Sequence, residues 1–463
     1  MTKSLIVFLL LSALLTGPGW TGEPIVHLAG DTLTVQAKDT PLRQILQLIA
    51  HQGVKIGIDP RINPRVTVDI RKQPLHRTLK KLIRPYSHVL IWESGAQPEN
   101  GVHRLSEIHI FEPGKSDRIQ PLVVSTELVY SIHPVNGARY VSDELLLRIS
   151  PGKSSANLQR VLKEIGGRVL ARHPGTGIYR IRVKKGTDIP GLVDRVKKIY
   201  GVVGAEPNWA YRMPAPIRLP LAPANTVGEA DPSGPDSGVP VAVLDSGIMP
   251  DVGISGMLVA SLDVINPGTP ISDDMGHGTQ MALVASGTVR PMGALGGIFE
   301  HSPVVPVKVF DENGTTSTFH IMESIDFAEK AGARVVSLSW GSPIRSESLE
   351  KALQAVSAKG LFVVASAGNA PTGEPVYPAA YPSVVGVGAL SPDGNRWPQS
   401  NYGDFVTVYA PGIARMPVGY QGNPGIYAGT SIASAYTSHL IARHLSDHPD
   451  AGLQEIFEAL KLK

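Results

Sequence analysis

The sequence predicts an α/β protein: a mostly parallel sheet covered by helices on both faces, preceded by two small α+β domains. Three observations carry this. After residue 238, short continuous apolar runs ("VPVAVLDSG", "VVPVKVF", "RVVSLSWG", "LFVVASAGN", "SVVGVGAL") alternate with helix-like segments such as "IMESIDFAEKAGA" and "SLEKALQAVSAKG". Strands with no polar face, separated by helices, are buried on both sides, as in parallel sheets. Residues 24–113 and 140–213 instead mix period-2 and period-3.6 patterns over short spans. A stretch rich in Pro, Ala and Gly, 214–238, separates them from the larger domain and reads as an exposed linker open to cleavage.

In chain order, residues 1–22 read as a signal peptide. Lys3 precedes an apolar run from Leu5 to Leu15, and Gly and Pro follow. The run is short for a bilayer span, which sets it apart from a membrane anchor. In 24–113, "LTVQA" alternates like a strand. Asp39-Thr40-Pro41 predicts a cap and a first-turn proline, Leu42, Ile45, Leu46 and Ile49 lie on one helical face, and Gly53 marks the end. "VKIGID" and "RVTVDI" read as strands, Leu75, Leu79 and Leu82 as a second helix, and "HVLIWES" and "EIHIF" as strands again. Residues 114–139 read as a connector. In 140–213 the order strand, helix, strand, strand, helix, strand suggests a ferredoxin-like sandwich.

Bulk properties exclude several classes. With 42% apolar and 18% charged residues the 463-residue chain is globular, and its length asks for several domains. A net charge of +3 with mixed signs gives no dedicated nucleic-acid surface. There is no cysteine, so neither a disulfide framework nor a lipidation thiol exists.

In parallel sheets the working residues sit at the carboxyl ends of strands. Asp245 ends "VAVLD", His277 lies between Gly276 and Gly278 at a helix start, Asn369 ends "LFVVASAGN", and Ser431 opens a helix in "YAGTSIASAYTS". Singly, each is an ordinary turn former, loop residue or cap. Together they occur in the order Asp, His, Ser, with Asn before Ser, which is one of the known orders of the hydrolytic triad. With "VAVLDSG", "GHGT", "VPVKVF", "VVSLSWG", "VVASAGN", "YPAAYPSVVGVGAL", "VYAPG" and "GTSIAS", residues 239–463 resemble the subtilisin-like serine proteases.

The resemblance implies roles residue by residue. Ser431 is the nucleophile, His277 its general base and Asp245 the group that orients the imidazole. The Asn369 amide and the Ser431 N–H hold the oxyanion, and losing such a donor typically costs about 2.7–4 kcal/mol in the transition state. The Ser339-Trp340-Gly341 segment pairs with an extended substrate. The first specificity pocket lies between Ser339–Gly341 and Ser366, Ala367 and Gly368, with Val376 on its floor, which implies small or medium apolar side chains at the cleaved position. "YVSDELLLRISPG", "GIYRIRV" and "GAEPNWAY" make 140–213 resemble the subtilisin-type propeptide, which implies a zymogen with an intramolecular inhibitor and self-cleavage between Tyr211 and Gly238.

"VQAKDTPLRQILQLIAHQGVKIGIDP" and "RVTVDIRKQPLHRTLKKLI" make 24–113 resemble the short N-terminal domain of secretins and TonB-dependent receptors. That implies a bacterial-envelope partner; a plain α+β spacer shows the same pattern. The implied localisation is secreted or periplasmic. Calcium is implied as a cofactor by family analogy only. Asp273-Asp274 and Asp311 with Asn313 are oxygen-rich, yet no EF-type spacing exists, and His301, His320, His439, His444 and His448 show no zinc spacing. The chain departs from the family pattern at Ala435 and Tyr436, where Pro and His are usual, and at Gln280, where a second His is common. These departures keep a second reading open, an inactive scaffold that binds through its N-terminal domain. An esterase places its acid and His after the Ser, and little chain remains beyond Ser431.

Overall fold

The structure, a computed structural model, describes residues 24–29, 32–50, 54–59, 61–94, 103–122, 129–150, 154–215, 217–220, 238–249, 252–294, 300–419 and 423–460. The signal-peptide segment and residues 221–237 of the linker lie outside them. The chain divides into two compact units, residues 1–125 and 126–463.

In the first unit, helices Leu42–Ala50 and Leu75–Leu82 bury their apolar stripes (Leu42, Ile45, Leu46 and Ile49; Leu75, Leu79 and Leu82) in one core with Leu33, Val35, Ile56 and Ile108. Two sheets complete it. One holds Ile25–Ala29, Thr32–Pro41 and Arg65–Pro74; the other holds Ser87–Ser94, His103–Phe111, Lys55–Ile58 and Gln120–Pro121 in that order. The expected cap and first-turn proline differ from what forms. Asp39, Thr40 and Pro41 extend the strand, because Asp39 takes a left-handed φ of 48° and its carboxylate pairs with Arg65 on the neighbouring strand. The helix starts at Leu42.

The second unit begins with an antiparallel sheet in the order Arg168–Arg172, Tyr179–Arg182, Arg139–Ile149, Val202–Arg212, covered by helices Ser154–Ile165 and Ile189–Val196. Both inner strands are flanked as a ferredoxin-like sandwich requires. The expected connector 114–139 is shared out instead. Gln120–Pro121 joins the first unit's sheet, and Tyr130–Ile132 pairs with Arg139–Val141.

The remainder is built on a seven-stranded parallel sheet. Its order is Leu262–Asp263, Val304–Lys308, Val241–Asp245, Val335–Leu338, Phe362–Ser366, Val384–Leu390, Val408–Pro411. The strands Val241–Asp245, Val304–Lys308 and Val335–Leu338 are buried along their whole length, which is why they read as unbroken apolar runs. Helices His277–Ala285 and Thr430–Asp447 pack into one core, and Thr318–Lys330 and Glu347–Ser357 into another. The chain moves from Val241–Asp245 to one neighbour and then to the other, so a crevice opens at the carboxyl end of this central strand.

The second of those cores also takes in Leu145, Leu147, Ile181, Trp209 and Tyr211 of the antiparallel sheet, so the apolar interior runs through both layers without a break.

Candidate active site

Asp245 closes the central strand and is 1% exposed. Its Oδ1 accepts from the Ser246 N–H at 2.8 Å and from His277 Nδ1–H at 2.8 Å. His277 is the first residue of its helix, and the glycines around it answer to close backbone approach. A Cβ on Gly276, whose φ is +85°, would lie 2.4 Å from the Gly419 carbonyl oxygen, and one on Gly278 would lie 2.4 Å from that of Gly247. The Gly278 N–H donates to Ser246 Oγ at 2.8 Å, tying the helix start to the strand end. Burial works to lower the imidazole's pKa, but the Asp245 charge and hydrogen bond, with Asp273 behind them, prevail and hold it above the usual histidine value.

Ser431 is the second residue of Thr430–Asp447, where the backbone N–H has no acceptor within the helix. The helix runs eighteen residues through Ala435 and Tyr436 without the interruption a proline would bring. Asn369 Oδ1 accepts from the Thr430 N–H and hydroxyl, both at 2.9 Å. The oxygen end of the amide is thereby fixed, and its NH2 is the end left for another acceptor. Gly429 gives it room: a Cβ there would come within 3.3 Å of Asn369 Nδ2. His277, Asn369, Gly429 and Ser431 line a single cleft. The Ser431 hydroxyl itself donates to the Ser339 carbonyl at 3.1 Å.

Ser339, Trp340 and Gly341 follow one central strand, and Ser366, Ala367 and Gly368 end or follow the next. Val376 stands between them. A Cβ on Gly341 would lie 2.3 Å from Val376 Cγ1, and one on Gly368 would lie 3.7 Å from Cγ2. Paired bonds between Ser342 and Tyr377, 2.8 Å each way, hold Val376 in that slot.

Three features escape a reading of the sequence alone. The first is that residues 213–215 and 217–219 do not run free of the larger domain. The strand Val202–Arg212 continues onto Thr315–Ser317, with Ala210 opposite Ser317, Tyr211 opposite Thr316 and Arg212 opposite Thr315, and the Met213 N–H donates to Gly314 O at 2.8 Å. Pro214, Ala215 and Ile217 line the cleft beside His277 and Ser431, and Ile217–Leu219 pairs antiparallel with Gly425–Ala428 just before the serine. The second is that Tyr211 lies against Trp340, ring centroids 4.9 Å apart, and bonds Thr318 Oγ1. The backbone pairing thus falls on Thr315–Ser317, while Trp340 meets the tail through its ring. The third is Asp273, 4% exposed. Its Oδ1 accepts from Met275 N and Gly276 N, and its Oδ2 from the Thr279 N–H and hydroxyl.

Those bonds also bear on calcium. Asp273 is fully engaged in shaping the loop, and exposed Asp274 already lies 3.6 Å from Lys308 Nζ. Asp311 accepts from Asn313 N and Thr315 N at Oδ1 and from the Tyr130 hydroxyl at Oδ2. Neither loop offers the converging free oxygens that calcium needs. Among the described residues no group of three or more His, Asp or Glu side chains converges as a metal site. His320 and His439 are buried and held neutral, at about 3 and about 4, mainly by burial.

Comparison with known proteins agrees with this geometry. The profile of the subtilase family matches residues 236–461, and that of the fervidolysin N-terminal prodomain matches 129–208. Subtilisin Savinase of Lederbergia lenta is 35% identical over 231 residues, 49% of this chain and 82% of that protein. The alkaline protease of Alkalihalobacillus alcalophilus is 35% identical over 231 residues, and the chain spans only 58% of its length. A thermophilic serine proteinase of Bacillus sp. (strain AK1) is 28% identical over 315 residues, covering 65% of this chain and 78% of the relative. Among solved structures, fervidolysin from Fervidobacterium pennivorans, a keratinolytic enzyme related to subtilisin, shares the fold at a TM-score of 0.55 and 20% identity, covering 72% of this chain and 58% of that one. The chain belongs to the subtilase family and carries a fervidolysin-like N-terminal prodomain.

Proposed function

We propose that the protein is a serine endopeptidase made as a zymogen, with Asp245, His277 and Ser431 as its triad. The observation that carries this is the 2.8 Å bond from His277 to Asp245 at the end of the central strand, facing a cleft shared with Ser431 and Asn369. A turn of the Ser431 hydroxyl from the Ser339 carbonyl toward His277 Nε2 would start the reaction. Oγ attacks the peptide carbonyl, the imidazole takes its proton, and Asp245 stabilises the imidazolium. Asn369 Nδ2 and the Ser431 N–H receive the oxyanion, helped by the positive end of the helix. His277 then protonates the leaving amine, and a water repeats the sequence to free the acyl group.

Residues 210–215 and 217–219 of the chain's own tail border this groove, with Pro214 and Ala215 lining the cleft that holds Ser431. The tail is the first substrate and then the inhibitor of its own site. With Val376 filling the slot between the two strand ends, small side chains suit the cleaved position. The leader at 1–22 would take the protein to the periplasm or outside the cell, where 24–113 would engage an envelope partner as its resemblance implies.

Fluorophosphonate labelling combined with intact mass tests the reading. Wild type is expected to be labelled and shortened, with a new N-terminus at or near Ala215, while Ser431→Ala stays full-length and unlabelled. The serine–Ser339 bond favours one alternative, a folded but inactive scaffold. An unlabelled, full-length wild type whose melting matches that of Ser431→Ala would establish that alternative instead.

A further inference from the structure

Helix Leu75–Leu82 divides its circumference between two chemistries. Leu75, Thr78, Leu79 and Leu82 are buried, and the whole solvent side is His76, Arg77, Lys80 and Lys81. Exposed Arg71 and Lys72 precede the helix and exposed Arg84 follows it. From residue 70 to residue 92 the sequence contains six Lys or Arg and no carboxylate. The carboxylates on the strands packed against the helix are already engaged. Asp69 pairs with Arg71 and accepts from Gln36, and Asp39 pairs with Arg65. Among the described residues no carboxylate forms an ion pair with Lys72, Arg77, Lys80, Lys81 or Arg84.

We propose that this face docks the protein on an anionic phospholipid surface. Its chemistry separates that partner from the others. A specific protein interface needs an apolar centre, and every large apolar side chain of this helix is buried. A single nucleic-acid strand is held by aromatic stacking platforms, and residues 71–84 contain no Phe, Tyr or Trp. A row of flexible cations on the convex side of a helix, without a cradle for any single phosphate, matches a plane of many phosphates. Clusters of four to eight Lys or Arg on an amphipathic helix bind anionic headgroups in this way. The attachment is electrostatic and peripheral, since the apolar stripe is already spent on the core. It does not depend on the catalytic reading.

The test is flotation of the full-length Ser431→Ala chain with vesicles of phosphatidylcholine alone and of phosphatidylcholine mixed with phosphatidylglycerol. Binding is expected only to the mixed vesicles, and is lost near 1 M salt, where the screening length is about 3 Å. Replacing exposed side chains, Lys80→Glu with Lys81→Glu, should lower the vesicle partition at least about tenfold. The charge-matched pair Lys184→Glu with Lys185→Glu, exposed on the other unit, should leave it unchanged. Equal binding to both vesicle types, or an equal loss from both pairs, overturns the proposal. So does binding to duplex DNA with none to phosphatidylglycerol, which assigns the face to nucleic acid.

Discussion

At the scale of single residues, a carboxylate outside the proposed triad adds to what Asp245 does at His277. Asp273 receives four hydrogen bonds from residues 275–279, so it shapes the turn that carries the imidazole, and its charge adds to that of Asp245 in raising the histidine's pKa. In the proposed mechanism only the neutral imidazole accepts the serine proton, so activity should rise with pH through that pKa, with the acid limb of the rate profile above the ordinary histidine value. Asp273→Asn keeps the volume, removes the charge and turns an NH2 toward the donors of Thr279. The acid limb of kcat/KM should move to lower pH, and kcat should fall by about tenfold or more, because small displacements at a reacting centre are costly. Exposed Asp274→Asn should change neither. A fall in kcat with an unmoved limb would show that Asp273 acts on the shape of the loop alone.

At the scale of elements, the proposed first specificity slot is a gap between two adjacent strand ends in which Val376 stands. Val376 reaches toward both Gly341 and Gly368, so Val376→Gly should open the slot and leave the strands in place. Wild type should cleave after Ala much faster than after Phe, and Val376→Gly should raise kcat/KM for Phe by about tenfold to two-hundredfold, the range a single methylene commands in an apolar pocket. Equal use of Phe and Ala by wild type would remove Val376 from this role. The strands and the residues at their ends were legible because a parallel sheet leaves two direct marks, unbroken apolar runs and small or polar residues where they stop. The course of residues 213–215 and 217–219 was not. Met213, Pro214 and Ala215 carry no periodicity, and their placement depends on the edge Thr315–Ser317, about a hundred residues away. The same holds for Asp39 to Pro41, whose composition spells a helix start while a pairing with Arg65 keeps them in a strand.

At the scale of the molecule, the two layers of residues 126–463 are joined by polar contacts as well as by a shared apolar core. Glu206, on the strand that continues into the groove, is 9% exposed. It accepts from Ser346 Oγ, Ser348 N, Glu347 N and Trp209 Nε1, and so closes the start of helix Glu347–Ser357. Two residues on, Asn208 Oδ1 accepts from Phe319 N at the start of helix Thr318–Lys330, while its NH2 donates to buried Glu144. Two neighbouring side chains of the prodomain sheet therefore complete the first turns of two helices that flank the catalytic sheet. Helix starts leave N–H groups that need acceptors, and a carboxylate there also meets the favourable end of the dipole. Glu206→Gln keeps the shape but replaces one acceptor oxygen with an NH2 that faces donors. In the Ser431→Ala background, where no cleavage intervenes, calorimetry of the parent should show the two layers melting together. Glu206→Gln should destabilise that transition by on the order of 2 kcal/mol, the cost of leaving buried donors unpaired, and separate the melting of residues 129–213 from the rest. Exposed Glu164→Gln should leave the profile as it was. An unchanged transition in Glu206→Gln would place the coupling in the apolar contacts of Trp209, Tyr211, Phe319 and Trp340, with the two capped helices able to satisfy their first turns from solvent.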